Sequence, residues 1–192
     1  KERALDELPQ SGTGKTITTT EPKFIPEEAV EIMVEEDFVC KVRLVDCVGY
    51  LVEGALGLLE GEVPRMVSTP WSQNPMSFEQ AAEMGTKKVI TDHSTIGIVV
   101  TTDGSIEALP RSAYEQAEER VVNELKEINK PFVVVLNTTN PTSESTIELK
   151  KSMEEQYQVP VLPINCRTID MEGLESVLHA ILKEFPIGHM CF

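Results

Sequence analysis

Two apolar runs early in the chain, Ala29 to Val34 and Phe38 to Val45, flank the acidic triplet Glu35-Glu36-Asp37 and predict two strands joined as a hairpin. From Cys40 to Val45 the alternation of Cys, Val, Leu and Val with Lys41 and Arg43 has the period of a strand. Val48 to Pro75, rich in Gly and Pro and carrying Trp71, predicts a long irregular excursion. Ser77 and Gln80 have the spacing of a capping box, so Ser77 to Asp92 reads as a helix, with Phe78, Ala81, Ala82 and Val89 inward and Met84 near the same face. Ile96 to Thr102 is a continuous run bounded by Asp103-Gly104, the pattern of a central strand buried on both faces. Arg111 to Asn129 predicts an amphipathic helix with Tyr114, Ala117, Val121, Leu125 and Ile128 inward. Pro131 to Asn137 predicts a second buried strand, Ser143 to Tyr157 a helix, and Val159 to Ile164 a short strand. Met171 to Phe185 closes the series as a helix with Leu174, Val177, Leu178, Ile181 and Leu182 inward. Strand and helix alternate throughout this half, which argues for an α/β fold, a mostly parallel sheet with flanking helices and right-handed crossovers. Such sheets collect ligands at the carboxyl ends of their strands, where Asp46, Asp103 and Asn137 fall.

The chemistry concentrates at Leu44-Val45-Asp46-Cys47-Val48-Gly49-Tyr50, where a strand runs into an Asp-x-x-Gly turn. In P-loop nucleotide hydrolases an aspartate at that edge holds Mg²⁺, and the following glycine lets a backbone N–H approach the γ-phosphate. The same four-residue pattern also ends ordinary strands. Upstream, Thr18-Thr19-Thr20-Glu21-Pro22 is either a Thr-rich linker or a switch loop whose threonine meets Mg²⁺ and the γ-phosphate. Hydroxyl loop, antiparallel strand, then strand with Asp-x-x-Gly is the layout of Ras-like and translation-factor NTPase cores. Ser11-Gly12-Thr13-Gly14-Lys15-Thr16 is not itself a phosphate-binding loop, because Pro9 stands where the pattern needs glycine and the preceding residues are charged. After the strand ending at Asn137, GTPases carry Asn-Lys-x-Asp, whose aspartate reads guanine. This chain has Asn137-Thr138-Thr139-Asn140, and a neutral amide cannot reproduce the bidentate carboxylate contact. Asn140-Pro141 also reads as a plain turn ahead of a helix.

Composition narrows the function classes. The length, 192 residues, suits one domain with a full core. A formal charge of −15 repels phosphate backbones and anionic lipid heads, which argues against nucleic acid or a membrane surface as a direct partner. No run approaches the roughly 20 apolar residues of a membrane span, and nothing reads as a signal peptide. The four cysteines, Cys40, Cys47, Cys166 and Cys191, are scattered singly, which fits a reducing cytoplasm, and His93, His179 and His189 read as surface or packing residues.

Asp6 to Ser11, Gly14 to Ile17, Thr19 to Phe24, Arg43 to Tyr50, Pro64 to Met66, His93 to Gly97 and Thr101 to Gly104 together resemble the N-terminal ATPase domain of the stage IV sporulation protein A family. That resemblance implies a P-loop GTPase-like fold of the Ras and translation-factor type that has turned to ATP with Mg²⁺. It implies hydrolysis driving polymerisation into the basement layer of the spore coat. By the resemblance, Thr19 and Thr20 match the switch threonines and Asp46 the Walker B-type aspartate, with Gly49 in the same catalytic group. Mg²⁺ would be held by Asp46 and Thr20, and Asn137 and Asn140 would lie at the base edge. The family's phosphate-binding loop, with the first strand and helix, lies upstream of Lys1, so the expected core lacks that strand, and this chain alone is expected neither to bind nor to turn over nucleotide. Residues 1–186 are expected to form the NTPase domain and residues 187–192 a divergent tail. Expected partners are further copies of the chain, other spore-coat proteins and a small amphipathic-helix protein that anchors it, in the mother-cell cytoplasm, to the outer forespore membrane. The alternatives are an inactive structural assembly module of the same fold and a regulatory GTPase, the second disfavoured by Asn137 to Asn140.

Overall fold

A computed structural model describes residues 23–35, 38–55, 58–60, 62–69, 72–106 and 109–185. The chain divides into two units, Lys1–Ser94 and Thr95–Phe192.

In the first unit β1 (Lys23–Glu35) and β2 (Phe38–Asp46) form the expected antiparallel hairpin, with β1 beginning earlier than its apolar run. The register slips between Ile25 and Val30, where Pro26 brings no N–H to the ladder and the strand accommodates extra residues. Directly opposed Glu31 and Lys41 pair at 3.4 Å, both well exposed, so the pair adds little stability. The excursion that follows is less irregular than its composition suggests. It holds two small antiparallel ladders, β3 (Leu59–Glu60) with β4 (Val63–Pro64) and β5 (Met66–Val67) with β6 (Met76–Ser77). Trp71 lies outside the described residues.

Helix α1 (Phe78–Lys88) starts as its capping box predicts: Ser77 Oγ accepts from the Gln80 N–H at 3.2 Å and Gln80 Oε1 accepts from the Ser77 N–H at 3.4 Å. Ser77→Ala is expected to cost about 1 kcal/mol, measured as a lower midpoint in urea with an unchanged slope. Phe78, Ala81, Ala82 and Val89 are buried as expected, but Met84 is exposed, being turned away from that stripe. The helix runs on through one π-type turn, Val89–His93, closed by the Ser94 N–H to Val89 O at 3.0 Å.

In the second unit β7 (Gly97–Thr102), β8 (Phe132–Asn137) and β9 (Val161–Ile164) make a parallel sheet in the order β7-β8-β9. The connecting helices are α2 (Ser112–Glu127), α3 (Glu144–Tyr157) and α4 (Met171–Lys183). Val133 and Val135 of β8 pack with Val177 and Ile181 of α4, while α2 lies against β7 and α3 against β9. Phe132 to Leu136 are all buried, as the sequence predicts.

Three expectations about faces are corrected. β7 is not buried on both faces: Val99, Thr101 and Thr102 are buried, whereas Ile98 is 38% and Val100 62% exposed. The register puts Ile98 and Val100 on the face of Val133 and Val135, and one helix about 10 Å wide covers little more than two strands spaced about 4.8 Å. In α2 the inward residues are Ala113, Glu118, Val122 and Leu125, with Ile128 exposed, because Glu118 is held inside by partners that the apolar pattern does not reveal. In α4 Val177 and Ile181 are buried but Leu174 is exposed, since the helix meets the sheet through its later turns.

Candidate functional site

β2 delivers Asp46 to its carboxyl end, opposite Lys23, and the chain then turns through Cys47-Val48-Gly49. Gly49 has φ +80°, a conformation that side chains rarely adopt, and among the described residues no atom lies within 4 Å of where a Cβ would stand. The turn therefore needs glycine for its backbone and leaves open space above it. Burial pushes the Cys47 thiol up, against the effect of the Gly49 N–H. Among the described residues no three His, Cys, Asp or Glu side chains gather as a metal site. Mg²⁺ binds through one or two carboxylates together with phosphate oxygens and water, so a single carboxylate at the end of β2 is the kind of ligand it takes.

The second unit carries a different edge. At the carboxyl ends of its three strands, side chains extend the sheet's pairing into the loops. Asp103 Oδ1 accepts from the Ser105 N–H at 2.9 Å and the Ser105 hydroxyl at 2.6 Å, and Asp103 Oδ2 accepts from the Thr138 hydroxyl at 2.5 Å. Ser105 Oγ in turn accepts from the Thr139 N–H at 2.9 Å, and Thr138 Oγ1 from the Asn140 N–H at 3.2 Å. On the other side the Thr138 N–H donates to Ile164 O at 3.0 Å, and Asn137 Oδ1 accepts from the Cys166 N–H at 3.0 Å. Burial alone would raise the Asp103 pKa, but the hydrogen bonds from Ser105 and Thr138 outweigh it and hold the carboxyl below its ordinary value.

Beneath this edge lies a buried ion pair. Arg111, just before α2, donates from Nη1 to Glu118 Oε2 at 2.5 Å and from Nη2 to Glu118 Oε1 at 2.7 Å, with Nη1 also reaching Thr101 Oγ1 at 3.0 Å and Thr102 O at 3.3 Å. The Tyr157 hydroxyl donates to Glu118 Oε1 at 2.8 Å. The Glu118 side chain is 1% exposed. Desolvation would raise its pKa, yet the bonds from Arg111, Thr101 and Tyr157 bring it below the ordinary value, while burial and then Glu118 raise that of Tyr157. Gly104, with φ +86°, sits so close to the chain at Arg111 that a Cβ there would stand 2.8 Å from the Arg111 backbone nitrogen.

The predicted site residues thus fall in three places. Thr19 and Thr20 lie outside the described residues, Asp46 ends β2 and Gly49 lies in the turn after it in the first unit, and Asn137 and Asn140 sit on the loop edge of the second. Asn137 uses its amide oxygen to tie β8 to the turn after β9. Asn140 is exposed, and its Oδ1 accepts from Thr142 Oγ1 at 3.3 Å in the turn that leads to the Ser143 cap of α3. Sequence reasoning placed Asp103 at a strand end without a role, and missed Ser105, Thr138, Arg111 and Glu118. A signal for the last pair existed: Arg and Glu seven positions apart stand two turns apart on one helix face.

The family model described as stage IV sporulation protein A, ATPase domain, matches residues 1–186. The chain is 58% identical over 187 residues to stage IV sporulation protein A of Clostridioides difficile (strain 630) and 51% identical over 187 residues to that of Bacillus anthracis. To the Bacillus subtilis (strain 168) protein of the same name it is 49% identical over 185 residues. These alignments cover 97%, 97% and 96% of this chain, which spans 38% of the length of each relative. No solved structure matches the chain significantly. A parallel sheet flanked by helices, with its loops gathered at one edge, is compatible with a P-loop NTPase-like core. On this agreement of fold and similarity over nearly its whole length, the chain belongs to the stage IV sporulation protein A ATPase-domain family.

Proposed function

We propose that the chain is part of an ATP-hydrolysing domain whose turnover drives self-assembly into the basement layer of the spore coat. The observation that carries this reading is Asp46 at the end of β2, followed by the open, left-handed turn at Gly49. Asp46 would hold Mg²⁺, with Thr20, and Thr19 would serve as the second switch threonine. When bound, Mg²⁺ neutralises charge on the phosphate oxygens during transfer. The Gly49 backbone would leave room for the phosphate, since no side chain of the described residues stands within 4 Å of its Cβ position.

Asn140 supports adenine as the base. A side-chain amide offers one donor and one acceptor, which match the N6 amino group and the neighbouring ring nitrogen of adenine; guanine's paired donors need a carboxylate. That observation argues against the regulatory GTPase. Growth of the assembly would occur in the mother-cell cytoplasm at the outer forespore membrane, together with other coat proteins. Attachment there through a small amphipathic-helix partner fits the charge of −15, which opposes direct contact with anionic lipid, and no described helix is long and apolar enough to cross a membrane.

In the intact gene product, ATP is expected to be hydrolysed in preference to GTP in direct competition, with Asn140→Asp narrowing the preference by roughly tenfold or more. Equal turnover of both nucleotides by the wild type would overturn the adenine assignment, and absence of any turnover would overturn the ATPase reading.

A further inference from the structure

We propose that Asp103, acting through Thr138, is a positioning residue for nucleobase recognition, locking the Thr138–Asn140 loop into its binding conformation before nucleotide arrives. The inference rests on the ATPase reading above, and in particular on Asn140 facing the base.

The β7-β8 ladder ends with Thr102 opposite Asn137, so neither backbone pairing nor the apolar core requires any connection beyond it. Yet two side-chain links continue past that point, Asp103 to Thr138 and Ser105 to Thr139. Thr138 is the joint. Its side chain is fully buried, its N–H is taken by Ile164 O of β9, and its hydroxyl proton is committed to Asp103. A hydroxyl has one proton, so directing it to the carboxylate leaves the oxygen lone pairs as acceptors, and one of them receives the Asn140 N–H. The series Asp103, Thr138, Asn140 therefore transmits the position of a carboxylate at the end of β7 to the residue whose amide reads the base.

Both carboxylate oxygens are engaged, Oδ1 by two Ser105 donors and Oδ2 by Thr138, which fixes the orientation of Asp103 against the Thr138 hydroxyl. The turn that presents it is pinned from behind, with Gly104 pressed against the Arg111 backbone and the Arg111 guanidinium bound to Thr101 and Thr102. A loop ordered before binding spares the ordering cost on binding, which raises affinity without altering the chemical step.

The test uses the intact gene product with Asp103→Asn, Thr138→Val and Thr138→Ser, reading ATP KM and kcat, ATP against GTP competition, thermal midpoint and amide hydrogen exchange. Asp103→Asn and Thr138→Val should raise KM for ATP roughly tenfold with kcat within about twofold, the pattern of lost positioning and not of lost chemistry. Both should weaken the preference for ATP and speed exchange at Thr139 and Asn140, while Thr138→Ser, which keeps the hydroxyl, should restore wild-type behaviour. Should Thr138→Val fail to fold, Ser105→Ala, at an exposed position, should still raise KM, by a smaller factor. Variants that fold with unchanged KM, or that lose kcat at constant KM, would overturn the positioning role and leave the ATPase reading intact. A wild type that binds no ATP would instead overturn the ATPase reading and this inference with it.

Discussion

Asp46→Asn, made in the intact gene product, is expected to lower ATP hydrolysis about a hundredfold or more while ATP binding stays close to wild type. Asparagine is isosteric with aspartate, so β2 and its pairing with Lys23 should persist; only the charge that would fix Mg²⁺ is removed. Phosphate-binding contacts act mainly on the ground state, whereas correct metal placement is needed most as charge redistributes over the transferring phosphoryl group. Thr19→Ala with Thr20→Ala should produce a similar loss, and the combination should lose far less than the product of the separate losses, because the residues serve one metal-centred unit. Turnover, equilibrium ATP binding and sedimentation of polymer, measured on wild type, Asp46→Asn, the Thr pair and the combination, decide the matter. Near-normal hydrolysis in Asp46→Asn would reduce Asp46 to a residue that ends a strand.

Arg111→Ala should destabilise the protein by about 3–5 kcal/mol, because it leaves the Glu118 carboxylate buried without its cation. Replacing both partners with apolar residues of similar volume, Arg111→Met with Glu118→Leu, should recover most of that loss, since no charge then remains to be desolvated. The Tyr157 hydroxyl would lose its acceptor in the double variant, which sets the residual cost. The pH dependence has a definite sign. Glu118 and Asp103 have pKa values lowered by folding, so their contribution is complete above the ordinary carboxylate range of about 4 and is lost as pH falls through the depressed folded values. Urea midpoints from neutral pH down to the acid limit should therefore fall less steeply in the double variant than in the wild type. A destabilisation of Arg111→Ala under about 1 kcal/mol would mean that water reaches Glu118 and the pair behaves as a surface one.

Local signals were sufficient wherever one segment decides its own structure. The Ser77 and Gln80 capping box, the buried run at β8 and the pairing of β1 with β2 are each set by neighbours in sequence, and their outlines are legible. Faces were harder. A continuous run such as Ile96 to Thr102 looks the same whether one or both sides are covered, and only the width of the helix layer leaves Val100 outside. Glu118 reads as solvent-facing because an acidic residue is normally exposed; it is inside because a guanidinium and a phenol hydroxyl converge on it. At the site, strand ends brought Asp46, Asp103 and Asn137 to notice, but the bond from Thr138 to Asp103 joins residues 35 positions apart and depends on the register of two parallel strands.

The buried Arg111 and Glu118 pair also limits how this sequence can drift. An apolar pair at these positions could be as stable, but every single-residue route toward it passes through a protein with one buried charge left alone, several kcal/mol poorer. Most domains have only about 5–15 kcal/mol in hand, so such an intermediate stands close to the threshold at which selection removes it. The pair can thus be retained by the ruggedness of the path away from it, independently of any advantage it confers, and its two positions are expected to be replaced together or kept together over the history of the family.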